Sequence, residues 1–236
     1  MFYVPRLVVL LPTKNEEQGL GEVISGVPVQ EISDFGLTTE IIVVDGNSSD
    51  STCDIAISNG AELIKQVGSQ GKGNGVRQAL DHIIQKYNDD DLLIMLDADA
   101  TYDPKDIPAF VEKLNEYDVV WGSRLRGEIE RGAMSTTNRI GNMILSFAAS
   151  FLFFRRTTDL CTGYWGFRLG KLKQLHLTAD GFTLEADIFC STVKSKFKTK
   201  EIPINYALRE GESSLKWYID GPRIMWMAIK HRFSLR

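Results

Sequence analysis

The sequence has few of the residues that mark disulfide-linked, zinc-binding or nucleic-acid-binding proteins. Its 236 residues include only three cysteines, Cys53, Cys161 and Cys190, which are scattered and form no Cys-x-x-Cys pair. Neither a disulfide framework nor a zinc site is therefore predicted, and this cysteine usage fits a reducing compartment. The chain also has no excess of basic residues, since 27 Lys and Arg against 31 Asp and Glu leave a net charge of -4. This balance argues against non-specific nucleic-acid binding.

The chain also lacks a run of apolar residues long enough to cross a bilayer. Its longest such stretch, Met143 to Phe154, contains Ser146 and Ser150 and falls short of the about 20 residues that a spanning helix needs. The sequence passes from Met1 directly into a strand-like run, so no signal peptide is predicted. We therefore expect a protein that is soluble or peripheral to a membrane, with one large domain.

Short apolar runs alternate with helical segments over the first half of the chain. Each run is rich in Val, Ile and Leu and closes in a polar or glycine-containing loop, which is typical of strands buried on both faces. Strands separated by helices predict an α/β protein with a mostly parallel central sheet and helices on both faces. We predict strands at 6–11, 40–44, 61–67, 92–96, 119–121 and 200–206, and helices at 20–24, 52–59, 76–87, 105–116, 140–156, 184–194 and from about 218.

The apolar run 92–96 stops at two carboxylates, Asp97 and Asp99. Side chains two apart in an extended segment project to the same side, so both can present oxygens to a hard divalent cation. Open α/β sheets bind their ligands at the carboxyl ends of the strands, which is where this pair lies. The alternative is that 97–103 is only a polar turn, but buried charge is costly unless it is paired or bound to a metal.

Four segments, in this order, resemble the donor-site motifs of the family 2 glycosyltransferases: Pro12-Thr13-Lys14-Asn15-Glu16, Val43-Val44-Asp45-Gly46-Asn47-Ser48-Ser49-Asp50, Gly71-Lys72-Gly73 and Asp97-Ala98-Asp99. Later segments are similar to the acceptor-side motifs of the dolichol-phosphate mannosyltransferase group: Trp121-Gly122-Ser123-Arg124, Arg139 with Asn142, 159–168 and 209–216. The resemblance implies the GT-A fold of nucleotide-diphospho-sugar transferases. It also implies a single catalytic domain over 1–236, with acceptor- and membrane-facing elements in about 123–168 and 207–236.

The resemblance implies a pocket for a nucleotide-diphospho-sugar donor and a divalent metal ion. In this interpretation Mg²⁺ or Mn²⁺, bridged by Asp99, stabilises the leaving diphosphate as a Lewis acid. Asp97 is the second candidate metal ligand, or it points at the ribose or at Lys72. Asp45 accepts hydrogen bonds from the base, although an isolated Asp here is equally typical of a turn. The residues assigned to donor and metal binding are Pro12, Lys14, Glu16, Val44, Asp45, Lys72, Asp97, Ala98 and Asp99.

A polyprenyl phosphate is the acceptor that the resemblance implies. Its oxyanion is already a competent nucleophile and needs cations to position it more than a base to deprotonate it. Guanidinium groups bind phosphate oxygens bidentately, so three arginines are assigned to this task. The alternative for any one of them is a solvated surface residue. The residues assigned to catalysis are Asp97, Asp99, Arg124, Arg139 and Arg209.

A lipid acceptor implies a membrane surface as a further partner. Two segments are amphipathic: the helix 140–156, which ends in Arg155-Arg156, and the last helix, where Trp226 has basic neighbours. Their apolar residues are equally typical of a core. The implied location is the cytoplasmic face of a membrane, reached directly or through a separate membrane-anchoring partner. In the first segment the apolar residues are Ile144, Leu145, Phe147, Leu152, Phe153 and Phe154.

Other interpretations stay open at the level of sequence. UDP-sugars are favoured as donors, with GDP-mannose as the alternative, in an inverting transfer that serves glycan or glycoprotein assembly. A soluble family 2 enzyme acting on a polysaccharide or a protein glycan shares the same donor motifs. The run Asp97-Ala98-Asp99-Ala100-Thr101 also matches the nucleophile motif of haloacid-dehalogenase-type phosphatases, which normally lies on the first strand. A nucleotidyltransferase fits less well, because the loop at Pro12 lacks the glycine-rich arginine signature of that class.

Overall fold

A computed structural model of the protein describes residues 3–209 and 217–234. The strands are β1 (Arg6–Thr13), β2 (Thr38–Asp45), β3 (Glu62–Lys65), β4 (Leu92–Met95), β5 (Val119–Ser123), β6 (Trp165–Arg168) and β7 (Thr199–Pro203). The helices are α1 (Leu20–Gly26), α2 (Val29–Asp34), α3 (Thr52–Ser58), α4 (Lys72–Lys86), α5 (Ile107–Leu114), α6 (Thr136–Phe153), α7 (Leu169–Leu172), α8 (Leu184–Lys194) and α9 (Trp217–Phe233).

The strands form one seven-stranded sheet within the described residues, in the order β3-β2-β1-β4-β6-β5-β7. β1 pairs in parallel with β2 and β4, β2 with β3, and β5 with β7. β6 runs antiparallel between β4 and β5. The predicted α/β class with a mostly parallel sheet is confirmed. β4 lies in the middle of the sheet beside β1, so the carboxylates that follow β4 lie near the carboxyl ends of β1 and β2.

Both faces of the sheet are covered, because alternate residues of a strand point to opposite sides. In β1, Leu7, Val9 and Leu11 pack into one apolar cluster, and Val8 and Leu10 pack into the other. All five side chains are fully buried. Each contributes about 1.5–3 kcal/mol relative to an exposed position. The continuous apolar run of β1 is thus a consequence of burial on both faces.

Some element ends differ from the sequence prediction. α4 begins at Lys72 rather than at 76, because Gly71 adopts a φ of 133° and turns the chain into the helix. α6 ends at Phe153 rather than at 156, since Phe154 takes the left-handed conformation with a φ of 53°. β7 ends at Pro203 rather than at 206, and β3 is shorter than the predicted 61–67.

Three short elements, α2, β6 and α7, were absent from the sequence prediction. The four residues of β6 include a glycine and carry no periodicity long enough to identify a strand. β6 forms because β4 and β5 pair with it on both sides. No helix in residues 3–209 and 217–234 combines the length and hydropathy that are needed to cross a bilayer.

Candidate active site

A cleft of about 830 Å³ opens at the carboxyl ends of β1, β2 and β4. Thr13 of β1, Val44 of β2 and Asp97, which follows β4, lie along one part of its wall. The cleft extends from there to Asn142 of α6 and Ile224 of α9. One continuous cavity thus joins the polar ends of three strands to a pair of helices.

Lys72, the first residue of α4, lies between two carboxylates. Its Nζ is 2.6 Å from Oδ1 of Asp97 and 2.7 Å from Oε1 of Glu185. Burial lowers the pKa of Lys72, but the charges of Asp97 and Glu185 outweigh this effect and raise the pKa above its ordinary value. Lys72 is therefore a fixed cation at a helix N-terminus, a position that itself favours anions. Such a pair of features fits a phosphate group.

Asp99 faces a second cation, Arg209. One oxygen of Asp99, Oδ2, forms an ion pair with the guanidinium of Arg209. The other oxygen, Oδ1, accepts hydrogen bonds from the backbone N–H of Thr101 (3.1 Å) and from its hydroxyl (2.5 Å). Arg209 also lies 3.5 Å from Oε1 of Glu16. Burial raises the pKa of Glu16 to about 7, and the nearby Arg209 partly offsets this effect.

These carboxylates fit a divalent metal ion that shares its coordination with a phosphate ligand. Within the described ranges, no group of three His, Cys, Asp or Glu side chains is arranged to hold a metal by itself. Mg²⁺ commonly uses one or two protein carboxylates and takes its other oxygens from water and substrate phosphates. Oδ2 of Asp99 is paired with the cationic Arg209 in this structure, so a metal ion at Asp99 would share or replace that contact. Asp97 is turned towards Lys72, which is one of the three partners that were considered for it, beside the metal ion and the ribose.

Asp45 is placed differently from the other residues assigned to donor binding. Its carboxylate is 1% exposed and accepts hydrogen bonds from the backbone N–H groups of Asn47 (3.1 Å) and Ser48 (3.1 Å). Asp45 thus forms a turn here, and its neighbours Val44 and Gly46 line the cleft. The role in base binding that the resemblance implies stays a prediction. The remaining assigned residues line the cleft: Pro12, Lys14, Glu16, Val44, Lys72, Asp97, Ala98 and Asp99.

Arg124 lines the cleft, but a buried carboxylate holds its guanidinium. Its Nε and Nη2 donate to the two oxygens of Asp159 at 2.8 and 2.7 Å, and Asp159 is fully buried. Nη2 also donates to the carbonyl of Cys161 at 2.8 Å, and Asn142 donates to the same carboxylate at 2.6 Å. The bidentate fork that was assigned to a phosphate is therefore occupied by Asp159.

Arg139 does not line the cleft, unlike the other two arginines of the catalytic assignment. It is exposed in the first turn of α6 and is not among the described residues that line the cleft. Arg209 lies at Asp99, and Arg124 lies against Asp159. Two of the three guanidinium groups are thus held by different carboxylates in the cleft, and the third lies outside its lining.

The cleft continues as an apolar arm between α6 and α9. Ile144 and Leu145 of α6 and Ile224 of α9 line this arm, together with Leu160 and Phe182. The charged centre and the apolar arm are parts of the same cavity. A ligand with a charged head and an apolar tail therefore matches its two halves.

The outer face of α6 is apolar and exposed. Phe147 is 75% exposed and Phe154, just beyond the helix, is 83% exposed. Trp226 on the neighbouring α9 is also exposed. Three residues that were assigned to this surface, Leu145, Leu152 and Phe153, instead pack against the core. Ile144 is exposed too, although it also lines the cleft. The other exposed apolar side chains of this face are Ile140, Met143, Phe147, Phe151 and Phe154.

Two carboxylates of the site, Glu185 and Asp159, were not assigned from the sequence. Glu185 lies in the first turn of α8 after a polar loop, and Asp159 lies in a segment matched to an acceptor-side motif without a role of its own. Each belongs to the site because it pairs with a cation that is distant in sequence: Glu185 pairs with Lys72, and Asp159 pairs with Arg124. No local pattern encodes such a pairing.

The sequence and the fold both have known relatives. Residues 8–175 match the family model described as Glycosyl transferase family 2. Glycosyltransferase AglJ of Haloferax volcanii is 36% identical over 200 residues, which are 84% of this chain and 62% of AglJ. The dolichyl-phosphate hexose transferase of the same organism is 32% identical over 225 residues, which are 95% of this chain and 92% of that protein. The chain thus spans less than two thirds of AglJ.

A solved structure with a similar fold is glucosyl-3-phosphoglycerate synthase from Mycobacterium tuberculosis, in complex with Mn²⁺, uridine diphosphate and phosphoglyceric acid. The TM-score is 0.74, and the match covers 97% of this chain and 78% of the other. The sequence identity is 19%, so the likeness concerns the fold.

Proposed function

Because this chain belongs to glycosyltransferase family 2 and has the GT-A fold, we propose that it transfers a sugar from a nucleotide diphosphate to a polyprenyl phosphate such as dolichyl phosphate. The observation that carries the proposal is the single cleft that joins the charged centre at Asp99 to the apolar arm between α6 and α9. A lipid phosphate needs cations for its head and an apolar surface for its first isoprene units. The name of the dolichyl-phosphate hexose transferase supports the same class of acceptor.

Membership of this family rules out the phosphatase interpretation. A phosphatase of that type needs a free aspartate as its nucleophile on the first strand. Here Asp97 follows β4 and is paired with Lys72 at 2.6 Å.

The donor lies, in this proposal, in the half of the cleft that the strand ends form. The nucleotide contacts Pro12, Lys14 and Val44, and the diphosphate lies at Lys72 and the N-terminus of α4. A lysine cation is suited to phosphate oxygens, and so are the N–H groups at the start of a helix. In α4 the N–H of Asn74 is already bonded to the carbonyl of Asp180. A UDP-sugar is the favoured donor, and GDP-mannose is the alternative.

Asp99, with the donor phosphates, would hold Mg²⁺ or Mn²⁺. When bound, the ion acts as a Lewis acid that stabilises the charge on the leaving diphosphate. Arg209 pairs with Asp99 and Glu16 and so keeps a positive charge at the same point. Lys72 and Arg209 offset two of the four carboxylates at this centre, which are Asp97, Glu185, Asp99 and Glu16. A bound divalent ion would supply the further positive charge that an anionic ligand needs there.

The chemical step needs no general base from the protein. An oxygen of the lipid phosphate forms a bond to the anomeric carbon while the bond from that carbon to the diphosphate oxygen breaks. No proton has to leave this nucleophile, because it is already an anion. A single displacement inverts the configuration, so an α-linked donor gives a β-linked product. The protein supplies the alignment of the two phosphate groups.

The membrane-facing part of the proposal rests on α6 and α9. A polyprenyl tail leaves a bilayer only at about 0.8 kcal/mol for each exposed CH₂, so the enzyme must come to the lipid. The exposed apolar face of α6 suits the headgroup boundary, directly or with a membrane-anchoring partner. We place the protein at the cytoplasmic membrane face, as one catalytic domain over 1–236 with membrane-facing elements in about 123–168 and 207–236. Residues 210–216 and 235–236 of the second range lie outside the described residues.

A donor and acceptor screen tests the proposal. The protein is incubated with UDP-glucose, UDP-N-acetylglucosamine or GDP-mannose, with a polyprenyl phosphate or a soluble glycan, and nucleotide release is measured. We expect release that depends on the lipid phosphate and on Mg²⁺ or Mn²⁺, with an inverted anomeric configuration by NMR. Transfer to the soluble glycan and none to the lipid would establish the soluble alternative instead.

A further inference from the structure

The loop 178–181 lies directly on the first turn of α4. The carbonyl of Asp180 accepts a hydrogen bond from the backbone N–H of Asn74 at 3.1 Å. The backbone carbonyls of Ala179 and Asp180 leave no space for a Cβ at Gly73 or Gly71. Only glycine allows this approach, so the position of the loop and the position of the start of α4 depend on each other.

Asp187 of α8 holds this loop in place. Its Oδ2 accepts hydrogen bonds from the backbone N–H groups of Thr178 (2.5 Å) and Ala179 (2.8 Å). Its Oδ1 lies 2.7 Å from Nε2 of His231 on α9 and 3.3 Å from the hydroxyl of Ser191. The side chain is fully buried, and a buried carboxylate is stable only when its oxygens are satisfied in this way. Asp187 is thus a buried anchor shared by the loop and α9.

The same helix also holds the side chain of Lys72. Glu185, two residues before Asp187, lies 2.7 Å from Nζ of Lys72. α8 therefore reaches the start of α4 twice, through Glu185 to the side chain and through Asp187 and the loop to the backbone. Neither Asp187 nor His231 lines the cleft among the described residues.

We propose that Asp187, fixed by His231 of α9, is a positioning residue that sets the placement of Gly71, Lys72 and Gly73 for the donor diphosphate. The inference rests on the proposed function only in taking a nucleotide diphosphate as the ligand at Lys72. His231 orients the carboxylate, the carboxylate fixes the loop, and the loop fixes the first turn of α4. Displacement of a binding group by about 1 Å by a change remote from the chemistry can cost about a hundredfold in rate.

Three substitutions test the coupling at successive points. His231→Ala removes the partner of the anchor, Asp187→Ala removes the anchor, and Gly73→Ala forces the loop away from α4. We expect each to weaken binding of the nucleotide diphosphate by about tenfold or more and to raise the donor KM, while the KM for the acceptor stays near that of the wild type. Asp187→Asn keeps an oxygen for the loop N–H groups, and we expect it to restore most of the affinity.

The chain offers matched controls. His82 forms the same kind of pair, with Nε2 2.8 Å from Oε1 of Glu62, on a part of α4 remote from Lys72. His82→Ala should leave nucleotide affinity unchanged. Gly21→Ala on α1, where an added Cβ meets only an ordinary contact with Ile55, serves the same purpose for Gly73→Ala.

Amide hydrogen exchange at 71–75, measured without ligand, separates this inference from the proposed function. Faster exchange there in folded His231→Ala and Gly73→Ala, but not in the controls, supports the coupling whatever the ligand is. Unchanged exchange together with nucleotide affinity within twofold of the wild type overturns it. A wild type that binds neither UDP nor GDP with Mn²⁺ overturns the proposed donor, while the exchange data still decide the coupling. If Asp187→Ala does not fold, the other two variants decide.

Discussion

Cationic and anionic side chains alternate at the centre of the cleft. Lys72 lies between Asp97 and Glu185, and Arg209 lies between Asp99 and Glu16. Burying any one of these carboxylates alone would be costly, and the neighbouring cation offsets that cost. Two cations thus lie among four carboxylates, an acidic balance that suits a divalent ion bound together with an anionic ligand.

The first residue-scale prediction concerns Asp99. We expect Asp99→Ala to abolish metal-dependent activity and to lower turnover at least about a hundredfold, a typical size for the loss of a group that stabilises developing charge. Turnover with Mg²⁺ or Mn²⁺ and with EDTA is the measurement. Asp90→Ala, at an exposed residue outside the cleft, is the control. Full activity of Asp99→Ala in EDTA would remove Asp99 from the site.

Arg124 and Arg139 should differ in their effect on stability. Arg124→Ala leaves Asp159 as an unpaired buried charge, and breaking such a pair typically costs about 3–5 kcal/mol of unfolding free energy. Arg139→Ala changes an exposed side chain and should stay within about 0.5 kcal/mol. Urea unfolding of both variants measures the difference. Equal stability of the two variants would mean that the Arg124–Asp159 pair contributes nothing to the fold.

The raised pKa of Asp106 predicts that the free energy of unfolding depends on pH. Burial, together with the charge of Asp103, raises the pKa of Asp106 from 3.8 to about 6. One of its oxygens finds no hydrogen-bond partner among the described residues. Because the pKa of Asp106 is higher in the folded protein than in the unfolded chain, the folded state holds this proton more tightly. The stability that Asp106 contributes is therefore fully present below pH 4 and is lost as the pH rises through about 6. The change corresponds to at most about 3 kcal/mol.

Asp106→Asn should therefore be more stable than the wild type at pH 7.5 and should lose this part of the pH dependence. We expect a gain of about 1–3 kcal/mol at pH 7.5 and a smaller one at pH 4.5, measured by denaturant unfolding at both values. Asp90→Asn, at an exposed position, should follow the wild type. Parallel stability curves for Asp106→Asn and the wild type would contradict the assigned pKa.

Among the elements, α6 has two chemically different sides. Asn142, Ser146 and Ala149 are buried, and Asn142 and Ser146 hydrogen-bond to the segment that carries Asp159. The opposite side carries the exposed apolar residues, at spacings of three, four and seven. A helix that is apolar on its solvent side requires a partner surface, and large exposed apolar patches mark such surfaces.

The element-scale prediction is binding of this face to lipid. We expect the wild type to pellet with anionic vesicles at low salt and to be partly released at high salt. Arg232, whose guanidinium lies 6.0 Å from the centre of the Phe154 ring, places a cation near the face and adds a screened attraction. Changing Phe147, Phe151 and Phe154 to Ser should abolish pelleting and leave nucleotide binding intact. Phe153 is left unchanged, since it packs against Phe189 in the core.

The matched control replaces three exposed apolar residues elsewhere, Val29, Phe35 and Ile57, with Ser. This variant should pellet like the wild type. A wild type that stays in the supernatant with every lipid composition would favour the soluble acceptor. Equal loss of pelleting in both triple variants would show that the effect is not specific to α6.

For the whole molecule, donor binding should appear as stabilisation. A ligand that binds only the folded state adds about 2.7 kcal/mol at a hundred times its Kd. For a chain of this size that corresponds to a rise in Tm of about 5–10 °C. We expect this rise with Mn²⁺ and UDP or GDP, and little with Mn²⁺ alone or with ADP. The same rise with all three nucleotides would contradict a selective base pocket.

Much of the fold and of the donor half could be predicted from the sequence. Apolar runs and helical periodicity are local signals, so they identify β1, β2, β4, α8 and the mostly parallel sheet. Asp97 and Asp99 were assigned because a buried strand ending in two carboxylates implies a site at a sheet edge. The structure places both in the cleft. The apolar runs and the carboxylates that follow them are local features of the sequence, and they are sufficient for these conclusions.

Only the tertiary structure decided which charges meet. The sequence does not say that Arg124 pairs with Asp159, that Arg139 stays outside the cleft, or that Asp187 joins α9 to the start of α4. These contacts join residues that are far apart in the chain, and their partners are chosen by how packed helices and strands bring them together. β6 shows the same limit, because a four-residue strand exists only when two neighbours pair with it. Local propensity determines which elements form, and long-range packing determines which of their side chains touch.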